Sequence, residues 1–243
     1  MKQLKQWFAN QVATFFKNPN VRYKFVLPLA EMIAKDPDEV ILEKAMKYVG
    51  HSGIKGDYLE FGVWKGRSFS KAYHMSRYVK SSSLAKMQFY AFDSFQGLPE
   101  ITNVTDKTTG EFKRGDYSCD LPTFKRILQD NGVEMSRVVT VPGWYGEVLN
   151  EKTKQKLELK SAAIIFVDCD LYESAVDVLN FVTDYVVDGT VIIFDDWFCF
   201  RGDPDRGEQR AFREWLARNH HVTATEWQTV SWKSKAFLLN KKF

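Results

Sequence analysis

Two uninterrupted apolar runs that end in acidic residues constrain the fold more than any other feature of the sequence. One run covers Ala162–Val167 and is followed by Asp168, and the other covers Thr190–Phe194 and is followed by Asp195 and Asp196. Apolar runs without alternation are typical of strands buried on both faces of a parallel sheet. In an open parallel sheet, ligands bind beyond the carboxyl ends of the strands. We therefore predict that these acidic residues meet over one crevice.

A fourth aspartate, Asp170, follows Asp168 by two positions. Crowded carboxylates repel one another and resist desolvation, and a divalent cation with oxygen ligands is the usual remedy. We interpret the cluster as a metal site. The alternative interpretation is a set of solvated caps at strand ends.

The rest of the chain alternates predicted strands with predicted helices, a pattern that indicates right-handed βαβ units and a parallel sheet. The last two strands are too close in sequence for a crossover helix, so they should form an antiparallel hairpin at the sheet edge. The polar stretch 101–118 is predicted to be a long loop over the site. Strands are predicted near 57–61, 88–93, 137–141, 162–168, 189–195, 221–227 and 235–239, and helices near 3–17, 38–50, 66–80, 121–131, 172–185 and 206–219.

Between Asp57 and Ser68 the sequence predicts a strand, a turn of small residues and the start of a helix. Gly62 and Gly66 let the backbone approach a ligand closely. Their spacing lacks the GxGxxG pattern that fits a pyrophosphate, which disfavours a dinucleotide. Glu60 places a carboxylate at the strand end, where it suits a ligand such as the amino-acid part of S-adenosylmethionine. The alternative is an ordinary strand-turn-helix connection.

Asp93 ends the next predicted strand and is followed by Ser94 and a turn that contains Gly97. Nucleotide-binding folds place at this position an acidic residue that accepts hydrogen bonds from ribose hydroxyls. Asp93 could equally be a turn cap. Together with Glu60 and Gly62, it favours a nucleoside-containing cofactor.

The composition is that of a protein with one α/β domain. We predict this domain at 51–243, preceded by a helical segment at 1–50, in a chain of 243 residues with 44% hydrophobic content. The apolar residues of the 3–17 helix share one side, which indicates a lid or a subunit contact; a membrane-surface helix is the alternative.

Charge and cysteine content exclude several classes of function. A net charge of +3 without a dense run of lysine or arginine argues against nucleic acid as a partner. No apolar run reaches the roughly 18 residues of a membrane span. Three widely spaced cysteines, an odd number, indicate a reducing, cytoplasmic compartment without disulfides.

Five ordered segments together resemble the macrocin O-methyltransferase family, metal-dependent enzymes that methylate sugar hydroxyls of macrolide and aminocoumarin antibiotics. The resemblance implies a Rossmann-like class I methyltransferase fold of the α/β class, with a seven-stranded, mostly parallel sheet and an antiparallel last strand. It also implies S-adenosylmethionine and Mg²⁺ as cofactors. The segments are Glu60–Ser68, Phe92–Pro99, Val141–Tyr145, Val167–Ser174 and Phe194–Asp196.

The resemblance also implies roles for individual residues. The predicted metal ligands are Asp168, Asp195 and Asp196, and the predicted catalytic residues are Asp168 and Asp170. Asp170 is the candidate general base, because it shares a face with Asp168 if the strand continues, whereas catechol-type relatives place a lysine at the position of Leu171. The residues expected to bind the cofactor, with Trp144 on the adenine side, are Glu60, Gly62, Val63, Gly66, Ser68, Asp93, Ser94, Trp144 and Asp168.

The predicted function is Mg²⁺-dependent methyl transfer from S-adenosylmethionine to a hydroxyl of a small molecule, namely a sugar or another diol, by a homo-oligomeric enzyme. Two alternatives remain at this point. The Asp168-Cys169-Asp170 pair is also of the DxD kind that holds a nucleotide-sugar in metal-dependent glycosyltransferases. A non-catalytic nucleotide-fold protein is the other alternative, although unused crowded carboxylates are costly to keep together.

Overall fold

The structure is a computed structural model that describes residues 37–107, 110–229 and 231–242. The predicted helix at 3–17 lies outside these residues. The helices are α1 (Pro37–Ser52), α2 (Arg67–Tyr78), α3 (Ser82–Ala85), α4 (Val104–Lys107), α5 (Leu121–Asp130), α6 (Tyr145–Val148), α7 (Glu151–Lys156), α8 (Tyr172–Val182) and α9 (Gly207–Arg218). The strands are β1 (Asp57–Phe61), β2 (Phe89–Asp93), β3 (Val138–Pro142), β4 (Ala162–Val167), β5 (Val186–Phe194), β6 (Val222–Thr229) and β7 (Lys235–Lys241).

The strands of the described residues form one seven-stranded sheet in the order β3-β2-β1-β4-β5-β7-β6. Strands β1 to β5 pair in parallel, and β7 pairs antiparallel with both β5 and β6. This arrangement confirms the predicted fold class and the terminal hairpin. Because β7 inserts between β5 and β6, residue Lys235 at its start lies beside Phe194 at the end of β5. The turn of the hairpin therefore reaches the same edge of the sheet as the predicted acidic cluster.

The central strands are buried on both faces, as their apolar runs predict. Along β4, Ile164 and Phe166 pack into one apolar cluster, whereas Ile165 and Val167 pack into the cluster on the opposite face. Helices α1, α2 and α5 contribute to the first cluster, and α8 and α9 contribute to the second. Since alternate side chains of a strand point to opposite faces, a fully apolar strand requires this three-layer arrangement.

Helix α1 belongs to the same compact unit as the sheet, and this unit begins at Pro37. Its buried side chains recur at helical spacing along one face, and they pack into the first core cluster. The boundary predicted at residue 50 falls within this helix. The buried residues of α1 are Ile41, Leu42, Ala45, Met46 and Val49.

Short helices account for most of the differences between the predicted and observed elements. The predicted loop at 101–118 contains α4, and the stretch between β3 and β4 contains α6 and α7. Each is one or two turns long, which is too short to produce a recognisable apolar repeat. Asn150 caps α7 by accepting a hydrogen bond from the backbone N–H of Thr153.

The backbone at Gly62, just after β1, lies so close to the end of β4 that only glycine fits there. Its φ is +88°, and a Cβ at this position would lie 1.8 Å from the carbonyl oxygen of Asp168. We expect Gly62→Ala to lower the free energy of unfolding by about 3 kcal/mol or more, because both the backbone angle and the contact become strained.

Gly53→Ala is the matched control for this substitution. Gly53 also has a positive φ, of +66°, but an added Cβ there would meet nothing within 4 Å. It should therefore cost only about 1 kcal/mol in denaturant unfolding. Equal losses for Gly62→Ala and Gly53→Ala would contradict the proposed clash with Asp168.

Candidate active site

A cavity of about 540 Å³ opens at the carboxyl ends of β1, β2, β4 and β5. This volume lies within the usual range for small-molecule sites, roughly 300–1,000 Å³. The cavity is at the edge of the sheet where the sequence predicts it. The predicted residues that line it are Gly62, Val63, Ser68, Asp93, Ser94, Trp144, Asp168, Asp170, Asp195 and Asp196.

Two predicted cofactor residues, Glu60 and Gly66, do not line the cavity but lie behind its wall. Glu60 is fully buried and accepts hydrogen bonds from the hydroxyls of Tyr58 and Ser68, the latter at 2.6 Å. Gly66 precedes α2 with φ +70°, and an added Cβ there would touch Phe124. Both residues therefore support the turn between β1 and α2 from the side that faces away from the cavity. Direct contact of Glu60 with a cofactor stays a prediction.

Asp93 joins the ends of β1 and β2. Its Oδ2 accepts the backbone N–H of Val63 at 2.8 Å and that of Trp64 at 3.2 Å, and its Oδ1 accepts the N–H of Phe95 at 2.6 Å. Burial raises the pKa of the Asp93 carboxyl above its ordinary value, and the three backbone hydrogen bonds oppose that rise. Asp93 thus has the cap role that the sequence left open, and it also lines the cavity.

Ser94 and Trp144 border the cavity on the side of β2 and β3. The Ser94 hydroxyl donates to the carbonyl of Gly97 at 2.9 Å, which closes the turn after Asp93. Trp144 precedes α6, and the hydroxyl of the adjacent Tyr145 donates to the carbonyl of Phe92 at 3.2 Å. These contacts fix the wall predicted to face the adenine.

Asp93→Ala should lower the free energy of unfolding by about 1–3 kcal/mol, because three backbone donors lose their acceptor. Asp116→Ala is the control, because the Asp116 side chain accepts the exposed N–H of Lys113 at 2.9 Å and no other backbone N–H of the described residues. The control should change stability by roughly 0.5 kcal/mol or less in thermal or denaturant unfolding. A stable Asp93→Ala variant would mean that the turn is held by other contacts.

The four aspartates predicted to meet do lie together at the ends of β4 and β5. Single carboxylate oxygens of Asp168, Asp195 and Asp196 all lie within 4.8 Å of one another. Asp170 is buried and lines the same cavity, and its burial and the charge of Asp196 raise the pKa of its carboxyl well above the ordinary value. The grouping of carboxylates that the sequence predicted is therefore present.

The route by which Asp170 reaches the cluster differs from the prediction. Strand β4 ends at Val167, and Asp170 has a left-handed backbone with φ +61°. The strand does not continue, so the expected sharing of a strand face with Asp168 is wrong. A tight turn, rather than strand alternation, brings the Asp170 carboxyl towards Asp196.

Burial and mutual repulsion dominate the electrostatics of the cluster. Burial raises the pKa of Asp168 well above its ordinary value, and the charges of Asp195 and Asp196 add to the rise. The pKa of Glu208, at the start of α9, is raised for the same reasons. A cation in the cluster would oppose these shifts, because it stabilises the ionised carboxylates.

Two residues of this cluster were missed by the sequence analysis. Glu208 accepts the backbone N–H of Asp196 at 3.1 Å. Lys233, in the turn between β6 and β7, donates from Nζ to Asp195 and to Asp196, the latter at 3.1 Å. Burial alone would lower the pKa of Lys233, but the attraction of Asp196, Asp195 and Asp168 outweighs it and holds that pKa above its ordinary value. The predicted antiparallel hairpin could have indicated Lys233, because the turn of this hairpin must lie at the edge of the sheet where the acidic residues lie.

The aromatic residues after Asp196 are mainly structural. Trp197 packs against Phe194, Phe212 and Phe237 in the second core cluster. Phe200 is buried in a small cluster with Leu171 and Cys199. None of these side chains except Leu171 lines the cavity.

The fold and the site are those of a class I methyltransferase. The sheet is covered by helices on both faces and ends in an antiparallel strand, and the cavity lies between a cofactor-type turn and an acidic cluster. The model of the macrocin O-methyltransferase (TylF) family matches residues 32–234, and the chain belongs to this family. It is accordingly an S-adenosylmethionine-dependent O-methyltransferase. The resemblance seen in the sequence is confirmed, and the glycosyltransferase and non-catalytic alternatives are set aside.

Two relatives and one solved structure illustrate the similarity. Mycinamicin III 3''-O-methyltransferase of Micromonospora griseorubida is 26% identical over 201 residues, which cover 80% of this chain and 75% of the relative. The 8-demethyl-8-(2,3-dimethoxy-α-L-rhamnosyl)-tetracenomycin-C 4'-O-methyltransferase of Streptomyces olivaceus is 26% identical over 160 residues, 64% of this chain and 58% of the relative. The calicheamicin methyltransferase CalS11 has a similar fold, with a TM-score of 0.69, 19% identity and coverage of 98% and 93% of the two chains.

No helix within the described residues is both long and apolar enough to cross a membrane. The cysteines of this part of the chain, Cys119, Cys169 and Cys199, are buried and free.

Proposed function

We propose that this enzyme methylates a sugar hydroxyl of a natural-product glycoside and that it requires Mg²⁺. The observation that carries the proposal is the group formed by Asp168, Asp195 and Asp196 on the wall of the cavity that also contains the cofactor-type turn. The name of the tetracenomycin relative specifies a rhamnosyl group and a 4'-O position, and the name of the mycinamicin relative specifies a 3''-O position. A sugar presents vicinal hydroxyls, which suit a site built around a cation.

The donor set of the cluster fits Mg²⁺. All three proposed ligands supply carboxylate oxygens, which Mg²⁺ prefers, and the buried Oδ2 atom of Asp196 has no hydrogen-bond donor among the described residues. When bound, Mg²⁺ would supply Lewis acidity that makes a nearby hydroxyl more acidic.

The turn after β1 and the residues at the ends of β2 and β3 are proposed to hold S-adenosylmethionine, which supplies the activated methyl group. Asp93 lines the cavity, and its carboxylate can accept hydrogen bonds from ribose hydroxyls in addition to its three backbone hydrogen bonds. Trp144 and Ser94 border the proposed adenine side. These residues orient the donor, and alignment of donor and acceptor is the main requirement of an in-line methyl transfer.

Asp170 is proposed as the general base that takes the proton from the acceptor hydroxyl. It lines the same cavity as the proposed metal ligands, and its carboxyl lies beside Asp196. A base must lie within hydrogen-bond reach of the proton that it removes. Leu171, at the position of the lysine in catechol-type relatives, supplies no such group.

The acceptor class can be tested with matched pairs of compounds. Purified enzyme with S-adenosylmethionine and Mg²⁺ is incubated with macrolide or polyketide glycosides and with their sugar-free aglycones, and S-adenosylhomocysteine formation is measured. We expect methylation of glycosides only, with the added mass located on the sugar by fragmentation. Methylation of the aglycones or of catechol alone would contradict a sugar acceptor.

Removal of the metal provides a second test. An excess of chelator should abolish turnover, and restoring free Mg²⁺ should recover it, because the proposed ligands are all hard oxygen donors. Circular dichroism should show that the fold is retained in the chelator. Full turnover in the chelator would contradict the Mg²⁺ requirement.

Substitutions at Asp168 and Asp170 separate a metal ligand from a base. Asp168→Asn should lose both Mg²⁺ affinity and turnover, because a neutral oxygen replaces a charged ligand. Asp170→Asn should keep Mg²⁺ affinity, measured by calorimetry, but lose about 10²–10⁴ in rate. If Asp170→Asn loses metal as severely as Asp168→Asn, both carboxylates belong to the metal site and the base lies elsewhere.

We also propose that the enzyme is a cytoplasmic homo-oligomer, with the part of the predicted 1–50 segment that precedes α1, residues 1–36, acting as a lid or a subunit contact. The apolar side predicted for the 3–17 helix supports this assignment. Light scattering on the full chain should give a mass of at least twice the 28.2 kDa of one chain. A monomeric mass would contradict the subunit-contact role.

A further inference from the structure

Lys233 contacts two of the three carboxylates that are proposed to hold a divalent cation. Its Nζ donates to Oδ2 of Asp195 and to Oδ1 of Asp196, and its side chain is 31% exposed on the cavity wall. Asp195 and Asp196 are two of the three residues whose oxygens converge. The same two carboxylates are therefore the partners of an internal ammonium group and the proposed ligands of the metal.

The backbone of the turn that carries Lys233 is held in place. The carbonyl of Lys233 accepts the N–H of Phe198 at 2.9 Å, and Ser231 Oγ accepts the N–H of Ser234 at 2.9 Å. Because these bonds fix the backbone, a change in the position of the ammonium group requires only rotation of the flexible lysine side chain. A lysine has four side-chain carbons for such a movement.

The cluster contains more carboxyl groups than one lysine can pair with. Asp168, Asp170, Asp195, Asp196 and Glu208 influence one another electrostatically. A single ammonium group offsets one negative charge, and Oδ2 of Asp196 and Oε1 of Glu208 have no hydrogen-bond donor within the described part of the chain. The excess favours a divalent cation, but an ammonium group within hydrogen-bonding distance of the ligands would repel it.

We propose that Lys233 and the divalent metal bind the Asp195–Asp196 pair alternately. Lys233 holds the two carboxylates in place in the metal-free enzyme, lowers metal affinity by competition and swings away when the metal binds. This inference rests on the metal site of the proposed function. It assigns to Lys233 control of metal affinity, a role distinct from that of a ligand or a base.

Calorimetric titration with MgCl₂, and separately with MnCl₂, tests the competition without any acceptor. The variants are Lys233→Met, which keeps a flexible, unbranched side chain one atom shorter and without the charge, and Lys235→Met as a control. Lys235 lies two residues away and pairs with Glu226 at 2.8 Å, outside the cluster. We expect Lys233→Met to bind both metals about tenfold or more tightly than the wild type, because competition and repulsion are removed. Lys235→Met should bind them like the wild type.

The outcomes separate this inference from the proposed function. Metal binding to the wild type with equal or weaker binding to Lys233→Met would overturn the competition and leave the metal site intact. Absence of binding to the wild type and both variants would overturn the metal site, and the competition with it.

A measurement on the wild type covers the case in which Lys233→Met does not fold. Lysines are reductively methylated with and without saturating Mg²⁺, and the modification of each is measured by mass spectrometry. The proposal predicts faster modification of Lys233 when Mg²⁺ is present, because its ammonium group is released, and an unchanged rate at Lys235. An unchanged or slower rate at Lys233 under saturating Mg²⁺ would overturn the proposal.

Discussion

The crowding of carboxylates at the ends of β4 and β5 is the interaction on which the rest of the site depends. Parallel pairing of these strands brings Asp168 beside Asp195 and Asp196 in a largely buried position. Such a group is stable only if cations or donors compensate its charge. The enzyme provides an ammonium group from Lys233, which the hairpin turn delivers from outside the parallel part of the sheet. The antiparallel last strand is thus part of the site as well as of the fold.

A second set of contacts connects this cluster to the turn that is proposed to hold the cofactor. The N–H of Asp168 donates to the carbonyl of Phe61 at 2.8 Å, and the N–H of Gly62 donates to the carbonyl of Phe92 at 2.9 Å. Asp93 then accepts the N–H groups of the turn itself. Hydrogen bonds therefore connect the end of β2 to that of β1, and the end of β1 to that of β4. A methyl donor held by the turn and an acceptor held by the carboxylates would be aligned by one rigid framework, which is how a methyltransferase lowers its barrier.

Much of this arrangement could be predicted from the sequence. The apolar runs before Asp168 and Asp195 predicted central strands, because only a strand buried on both faces needs apolar residues at every position. The short spacing of the last two strands predicted a hairpin, and the order of the strands along the chain placed the acidic residues at one edge. Those inferences rest on local periodicity and on connection length. Both can be determined from the sequence without knowing which residues contact one another in the fold.

Tertiary structure alone decided which polar atoms meet. Glu60 faces Ser68 behind the cavity wall, Asp170 reaches the cluster through a left-handed turn, and Lys233 joins residues more than thirty positions away. No periodic pattern encodes such contacts, because each depends on how a turn directs a single side chain. The sequence by itself determined the layers of the fold and the acidic edge of the sheet. Only the tertiary structure showed that Lys233 pairs with these carboxylates, because the pairing of β7 with β5 sets where the hairpin turn lies.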